Sequence, residues 1–254
     1  MGGECAVSNQ VENAIKNVKG KPQVERVAGG NRTQTAVEVM KRVKGYSDTV
    51  IVATGFNFAD SLSIGPWSYK TMSPILLTNK GGTLDAATVK AIQECNRTSS
   101  GAGKKYQHYV IVGGTLAVSS AVETQLEAIG LTPLVPSQPR IAGQNRYDTT
   151  KLVAEFSTGF GMSADHPAVA TGQNFPDALA AAPMQGRLNS VLLLVNGKNS
   201  PGVKLVTSEY YKDHLKYGYV IGGPLAVPQD LMDYIAKATA SALTGSSALT
   251  AGAW

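Results

Sequence analysis

The chain has 254 residues, 43% apolar and 16% charged, which suits one large packed domain or two small ones and excludes a disordered chain. Its formal charge of +5 is spread along the sequence rather than gathered in a run. That favours an anionic partner in general and gives no footprint for nucleic acid.

The N-terminus, "MGGECAVSNQ", lacks the apolar core of a signal peptide. No window holds the ~18 apolar residues of a membrane span. After this start comes "RVAGGNRTQTA", Arg26 to Ala36, and then "TQTAVEVMKRV", a helical pattern with Ala36, Val39, Met40 and Val43 on one stripe. "DTVIVAT" (Asp48 to Thr54) is a β-branched apolar run ending at Gly55, the signature of a buried strand. "ADSLSIGPWSYK" predicts a weaker helix that Pro66 ends or kinks. "SPILLT" (Ser73 to Thr78) predicts a second strand, packed inside its own sheet or between units. In "TLDAATVKAIQEC", Leu84, Thr88, Ile92 and Cys95 fall at helical spacing. "YVIVGG" (Tyr109 to Gly114) predicts a third strand. "AVSSAVETQLEAI" predicts a helix capped by Ser120, with Glu123 three residues on. The proline-rich "LTPLVPSQP" (Leu131 to Pro139) then predicts an extended connector.

At Arg140 the pattern begins again. "RIAGQNRYDTT" answers "RVAGGNRTQTA", and "VATGQNFPDALAAAP" (Val169 to Pro183) answers "VATGFNFADSLSIGP" (Val52 to Pro66). "VLLLVN" answers "PILLTN", and "YVIGGPLAVP" answers "YVIVGGTLAVS". The blocks keep their order and nearly their spacing, so this is a tandem repeat. A third fragment opens the chain: "GGECAVS" aligns with "GGTLAVS", and "NQVENAIKNV" with "SAVETQLEAI". Residues 1–20 therefore read as the tail of an upstream repeat, with whole units at 21–136 and 137–240 and a small, polar, flexible tail at 241–254. A chain that starts inside a repeat predicts further protein upstream, which would account for the missing signal peptide.

Strand alternating with helix predicts an α/β fold, with small three-layer units each built on a central parallel sheet flanked by helices. The Gly-Gly after the third strand resembles a phosphate loop, but no Gly-x-Gly-x-x-Gly or Gly-Lys-Ser/Thr is completed. It reads as a tight strand-to-helix turn. His108, His166 and His214 occupy no corresponding repeat positions. Cys5 and Cys95 have no metal-type spacing and read as two buried thiols rather than a bridge. No cofactor or metal is expected.

The polar residues shared between the units are arginines, asparagines and one aspartate: Arg26, Arg32, Asn57 and Asp60 in unit one, and Arg140, Arg146, Asn174 and Asp177 in unit two. That set can bind an anion but contains no evident nucleophile or neutral-pH base. Arg32 and Arg146 fall at a helix start, where a cation opposes the macrodipole and calls for an anion. Two candidates stand: Asp60 and Asp177 as internal braces within each unit, or an external phosphate or carboxylate, with Asn57 and Asn174 hydrogen-bonding a sugar hydroxyl. Tyr109 and Tyr219 read as strand-edge structural residues that could also stack on sugars.

The ordered blocks of both units resemble the cell wall binding repeat family, type 2, of Gram-positive surface and S-layer proteins. The resemblance covers nearly the whole chain except the tail. It implies an extracellular, non-enzymatic module that anchors a protein on the wall by binding an anionic secondary polysaccharide or teichoic-acid-like polymer noncovalently. It assigns the eight residues above to the family's motif positions. It also implies three repeats packed with pseudo-threefold symmetry, completed here by an upstream repeat or by association of chains. The alternatives are a structural assembly module, whose repeats mediate subunit packing, and a sugar- or nucleotide-processing α/β enzyme.

Overall fold

The computed structural model describes residues 2–98 and 105–240. The tail expected at 241–254 lies outside the described residues. Unit one is preceded by α1 (Asn9–Lys16) and begins with α2 (Arg32–Val43), β1 (Thr49–Ala53), α3 (Ala59–Ser63) and α4 (Gly65–Thr71). It continues through β2 (Ile75–Leu77), α5 (Ala86–Thr98), β3 (His108–Val112), α6 (Ala121–Glu127) and β4 (Thr132–Pro133). Then follow β5 (Arg140–Ile141), α7 (Arg146–Gly159), β6 (Ser163–Thr171), α8 (Pro176–Arg187) and β7 (Ser190–Val195). The described chain closes with α9 (Pro201–Val206), α10 (Glu209–His214), β8 (Tyr219–Ile221) and α11 (Gln229–Thr239).

Two parallel sheets result. The first has the order β2-β1-β3-β4, with β5 also paired to β3. The second has the order β7-β6-β8. All pairs are parallel, as strand–helix alternation requires. The strand β5 belongs in sequence to the second repeat yet completes the sheet of the first. The sequence repeat and the sheet therefore do not share a boundary. The connector 131–139 is not wholly unpaired, because β4 lies within it and Leu134 N donates to Tyr109 O.

Strand alternation decides which face meets which neighbour. Val50, Val52, Leu76, Tyr109 and Ile111 pack with Met40, Ile92 and Leu126 of the unit's own outer helices. The intervening Ile51, Val110 and Val112 pack with Ile64 and Trp67 and reach Val153, Phe156 and Met162 of unit two. In the second sheet Val169, Leu193 and Val195 face their own helices. Ala168, Ala170, Leu192 and Leu194 instead share a cluster with Ala59 and Leu62 of unit one. Small residues let α4 and α8 approach closely. A Cβ on Gly65 would lie 2.8 Å from Ala182 Cβ, and one on Gly186 would lie 2.6 Å from Tyr69 Cβ. The "PILLT" strand thus serves both expected roles, with Leu76 in its own core and Ile75 against the inter-unit cluster.

Several local expectations shift. The buried residues of α2 are Thr33, Val37 and Met40; of the expected stripe Met40 is buried, while Ala36, Val39 and Val43 are half-buried. Thr33, on the buried face, donates to Asp85 Oδ2 at 2.7 Å. Pro66 divides the expected helix in two, sitting in the first turn of α4 where a missing N–H costs nothing. The α5 stripe of Thr88, Ile92 and Cys95 is buried as expected. Ser120 occupies the N-cap of α6 but makes no side-chain cap bond. Of the two thiols, Cys95 is buried but Cys5 is exposed, and they form no bridge.

Candidate functional site

Each residue of the repeated Arg-x-Ala-Gly-x-Asn-Arg motif has a definite local task. Asn31 and Asn145 are N-caps: Asn31 Oδ1 accepts from Gln34 N, and Asn145 Oδ1 accepts from Tyr147 N and Asp148 N. Gly29 and Gly143 lie against the helix start so closely that a Cβ would fall 2.4 Å from Gln34 Cβ and 2.3 Å from Asp148 Cβ. Their N–H groups donate to Thr35 Oγ1 and Thr149 Oγ1, each at 3.0 Å. That accounts for the threonine that follows the motif in both repeats.

The first arginine of each motif reaches backwards. Arg140 Nη1 donates to the carbonyls of Gly113 (2.8 Å) and Val118 (2.7 Å), and its Nε and Nη2 donate to Glu123. Arg26 repeats the arrangement on the N-terminal fragment. Its Nη1 donates to Gly2 O (2.9 Å) and Val7 O (2.8 Å), and its Nε to Glu12 Oε2 (2.8 Å). Both guanidiniums therefore clamp one repeat to the end of the preceding one. The glutamates were legible as aligned positions in "NQVENAI" and "SAVETQL", but no pairing signal marked them.

The second arginine lies at the C-terminal ends of the parallel strands, where open α/β sheets place their ligands. Arg32 donates to Gly55 O and lies over the Phe56 ring, 4.9 Å from its centroid. Arg146 donates to Gly172 O at 2.6 Å and lies 5.5 Å from the ring centroid of Phe58, in the other unit. Phe58 also meets Phe175 across the boundary at 5.7 Å. Sequence reasoning did not single out these aromatic rings. Asn57 and Asn174 are exposed, each with its side-chain oxygen accepting from a nearby backbone N–H.

The internal brace expected within each unit is absent. Among the described residues Arg32 forms no ion pair with Asp60, nor Arg146 with Asp177. The charge facing Asp60 is Arg146, from the other unit. Burial raises the Asp60 carboxyl and Arg146 pulls it part of the way back, leaving it at about 6. Both aspartates abut the Gly-Gly turn. A Cβ on Gly113 would lie 2.5 Å from Asp60 Oδ2, and one on Gly222 would lie 2.6 Å from Asp177 Oδ2. These glycines have φ of +117° and +112°, so the turn needs glycine for both conformation and space. Tyr109 is buried, its hydroxyl donating to Glu127, while Tyr219 is half-buried.

The fold and this motif define a tandem α/β repeat protein whose units are clamped in series. Residues 26–123 and 140–232 match the model of cell wall binding domain 2 (CWB2), and the chain belongs to that family. Among curated proteins it is 32% identical over 176 residues to N-acetylmuramoyl-L-alanine amidase LytC of Bacillus subtilis, covering 69% of this chain and 31% of that protein. It is 27% identical over 238 residues to the amidase enhancer of the same species, covering 93% of this chain and 29% of that protein. The chain thus spans under a third of the length of these relatives. Among solved structures, Cwp8 from Clostridium difficile matches with a TM-score of 0.72 at 27% identity, over 94% of this chain and 37% of that one. Cwp6 from the same organism matches in fold, with a TM-score of 0.66 at 22% identity, over 87% of this chain and 34% of that one. The protein is a cell wall binding module, which places it at the cell surface or wall. Among the described residues no helix is long and apolar enough to cross a membrane.

Proposed function

We propose that this module holds its protein on the wall noncovalently, without catalysis, by gripping an anionic secondary polymer at the strand ends of both units. The observation that carries this reading is the contrast between the two arginines of each motif. Arg26 and Arg140 are neutralised by Glu12 and Glu123. Arg32 and Arg146 have no ion-pair partner among the described residues, and each stands beside an aromatic ring and near an exposed asparagine. A guanidinium, a ring and an amide form a set suited to a charged sugar polymer. Arg32, Asn57, Arg146 and Asn174 make the contacts in this reading. Arg140 holds the units at 21–136 and 137–240 in register, Arg26 holds the N-terminal fragment to the first of them, and Asp60 and Asp177 shape the Gly-Gly turns. Two linked weak sites raise the effective concentration of polymer and give useful avidity. Retention of the purified chain on wall polymer in rising salt tests the proposal. Retention should fall as salt screens the charges, and salt-independent retention would refute an electrostatic grip.

An assembly role has one observation in its favour. Leu62 is 6% exposed because unit two covers it, whereas its repeat counterpart Leu179 is 56% exposed and Phe175 beside it 47%. A third unit, from an upstream repeat or a second chain, would cover this face. Light scattering of the purified chain separates the cases: a concentration-dependent rise in mass supports chain association, and a constant monomer mass refutes it.

A further inference from the structure

The clamp that joins consecutive repeats has a seat, and the chain contains three. In the first, Arg26 occupies the carbonyls of Gly2 and Val7, and Gly2 N donates to Val27 O at 2.9 Å. In the second, Arg140 occupies the carbonyls of Gly113 and Val118, and Gly113 N donates to Ile141 O at 2.9 Å. In the second seat the incoming segment also runs parallel beside β3, with Ile111 opposite Arg140 and Val112 opposite Ile141.

The third seat is built the same way. Gly2, Gly113 and Gly222 have φ of +115°, +117° and +112°. The turn that follows closes identically: Val7 N to Gly3 O, Val118 N to Gly114 O, and Val227 N to Gly223 O. Yet among the described residues nothing bonds Gly222 N, Gly222 O or Val227 O, and β8 pairs with β6 alone. The cost is visible in the side chains. Ile111 and Val112 are fully buried, while their counterparts Val220 and Ile221 are half-exposed. At the position where Glu12 and Glu123 meet the arginine, the third seat carries Met232.

We infer that the Gly222–Val227 turn and the free edge of β8 form a docking seat for a further arginine-bearing extended segment of the type Arg-Val/Ile-Ala-Gly. The segment lies parallel to β8, its arginine bonds the two carbonyls, and its second residue accepts from Gly222 N. Both such segments within residues 1–254 are already engaged, so the occupant is a further segment of the same type. Without a counterpart of Glu12 and Glu123 the seat lacks the ion pair of the other two, which makes it a weak, exchangeable site beside the two permanent ones. This inference does not depend on the polymer reading.

The test titrates the whole chain with the synthetic peptide RIAGQNR, followed by backbone NMR. Shifts confined to Tyr219–Gly223 and Val227 are expected at millimolar peptide, with binding at least about tenfold weaker when the first arginine is alanine. Met232→Glu, at a half-exposed position, should tighten binding by about tenfold and add salt dependence. The proposal is overturned by an absence of shifts in both the parent chain and M232E. Equal binding of the alanine peptide, or shifts mapping instead to Gly113–Val118, would overturn it as well.

Discussion

Arg140 places both Nε and Nη2 on one oxygen of Glu123, at 3.2 and 2.8 Å, while its third nitrogen bridges two carbonyls of the same turn. The first strand residue of one repeat is thereby fixed to the last helix of the repeat before it. Replacing Arg140 with leucine leaves Glu123 and two part-buried carbonyls without their donor, and should cost about 2–4 kcal/mol in urea unfolding. Glu123→Gln keeps a neutral acceptor and should cost about 1 kcal/mol. Equal costs for the two would mean that the carbonyl bonds contribute nothing. Arg26→Leu should matter less for global stability, because α1 buries no residue. Its effect should appear as faster amide exchange in 2–20.

Asp60 sets a pH dependence. Its carboxyl titrates near 6 in the folded protein, because burial disfavours the charge, and near the ordinary carboxylate value when unfolded. Between about pH 4 and 6 the folded state therefore holds more protons, and stability falls as pH rises through this window, by up to about 3 kcal/mol. Asp60→Asn should flatten that slope and leave the variant more stable than the parent at neutral pH. Arg146→Leu removes the opposing cation and should raise the Asp60 midpoint, read by carboxyl NMR. An unchanged midpoint would show that Arg146 does not reach Asp60.

Gly186 sets helix propensity against packing. Alanine at an exposed helix position gains about 1 kcal/mol over glycine. Here the added methyl would lie 2.6 Å from Tyr69 Cβ and 2.8 Å from Pro66 O, so neither neighbour can yield as a flexible side-chain tip would. Overpacking of this kind costs about 1–3 kcal/mol. Gly186→Ala should therefore lower the melting temperature, and a rise would mean that the α4–α8 contact is loose.

Much of the fold was legible in the sequence because each strand is a short β-branched run closed by glycine, and because the blocks recur in order. β1 and β3 fall where "DTVIVAT" and "YVIVGG" put them. What escaped the sequence depends on partners with no side-chain signature. Arg26 and Arg140 bond to backbone carbonyls as well as to a glutamate, carbonyls look alike in any sequence, and β5 is two residues long. The buried face of α2 includes Thr33, which bonds Asp85 across 52 residues. The charge opposite Asp60 comes from the neighbouring unit, so comparing residues within one repeat pointed to the wrong partner.

The division of labour between the two arginines of each motif is tested most directly by polymer affinity measured alongside melting temperature. Arg32→Gln with Arg146→Gln should weaken binding of purified anionic wall polymer at least about tenfold while the fold persists, since among the described residues neither is ion-paired. Arg140→Leu should show the reverse, a lower melting temperature with polymer affinity retained below the transition. Unchanged affinity in the Arg32 and Arg146 variant would contradict the account.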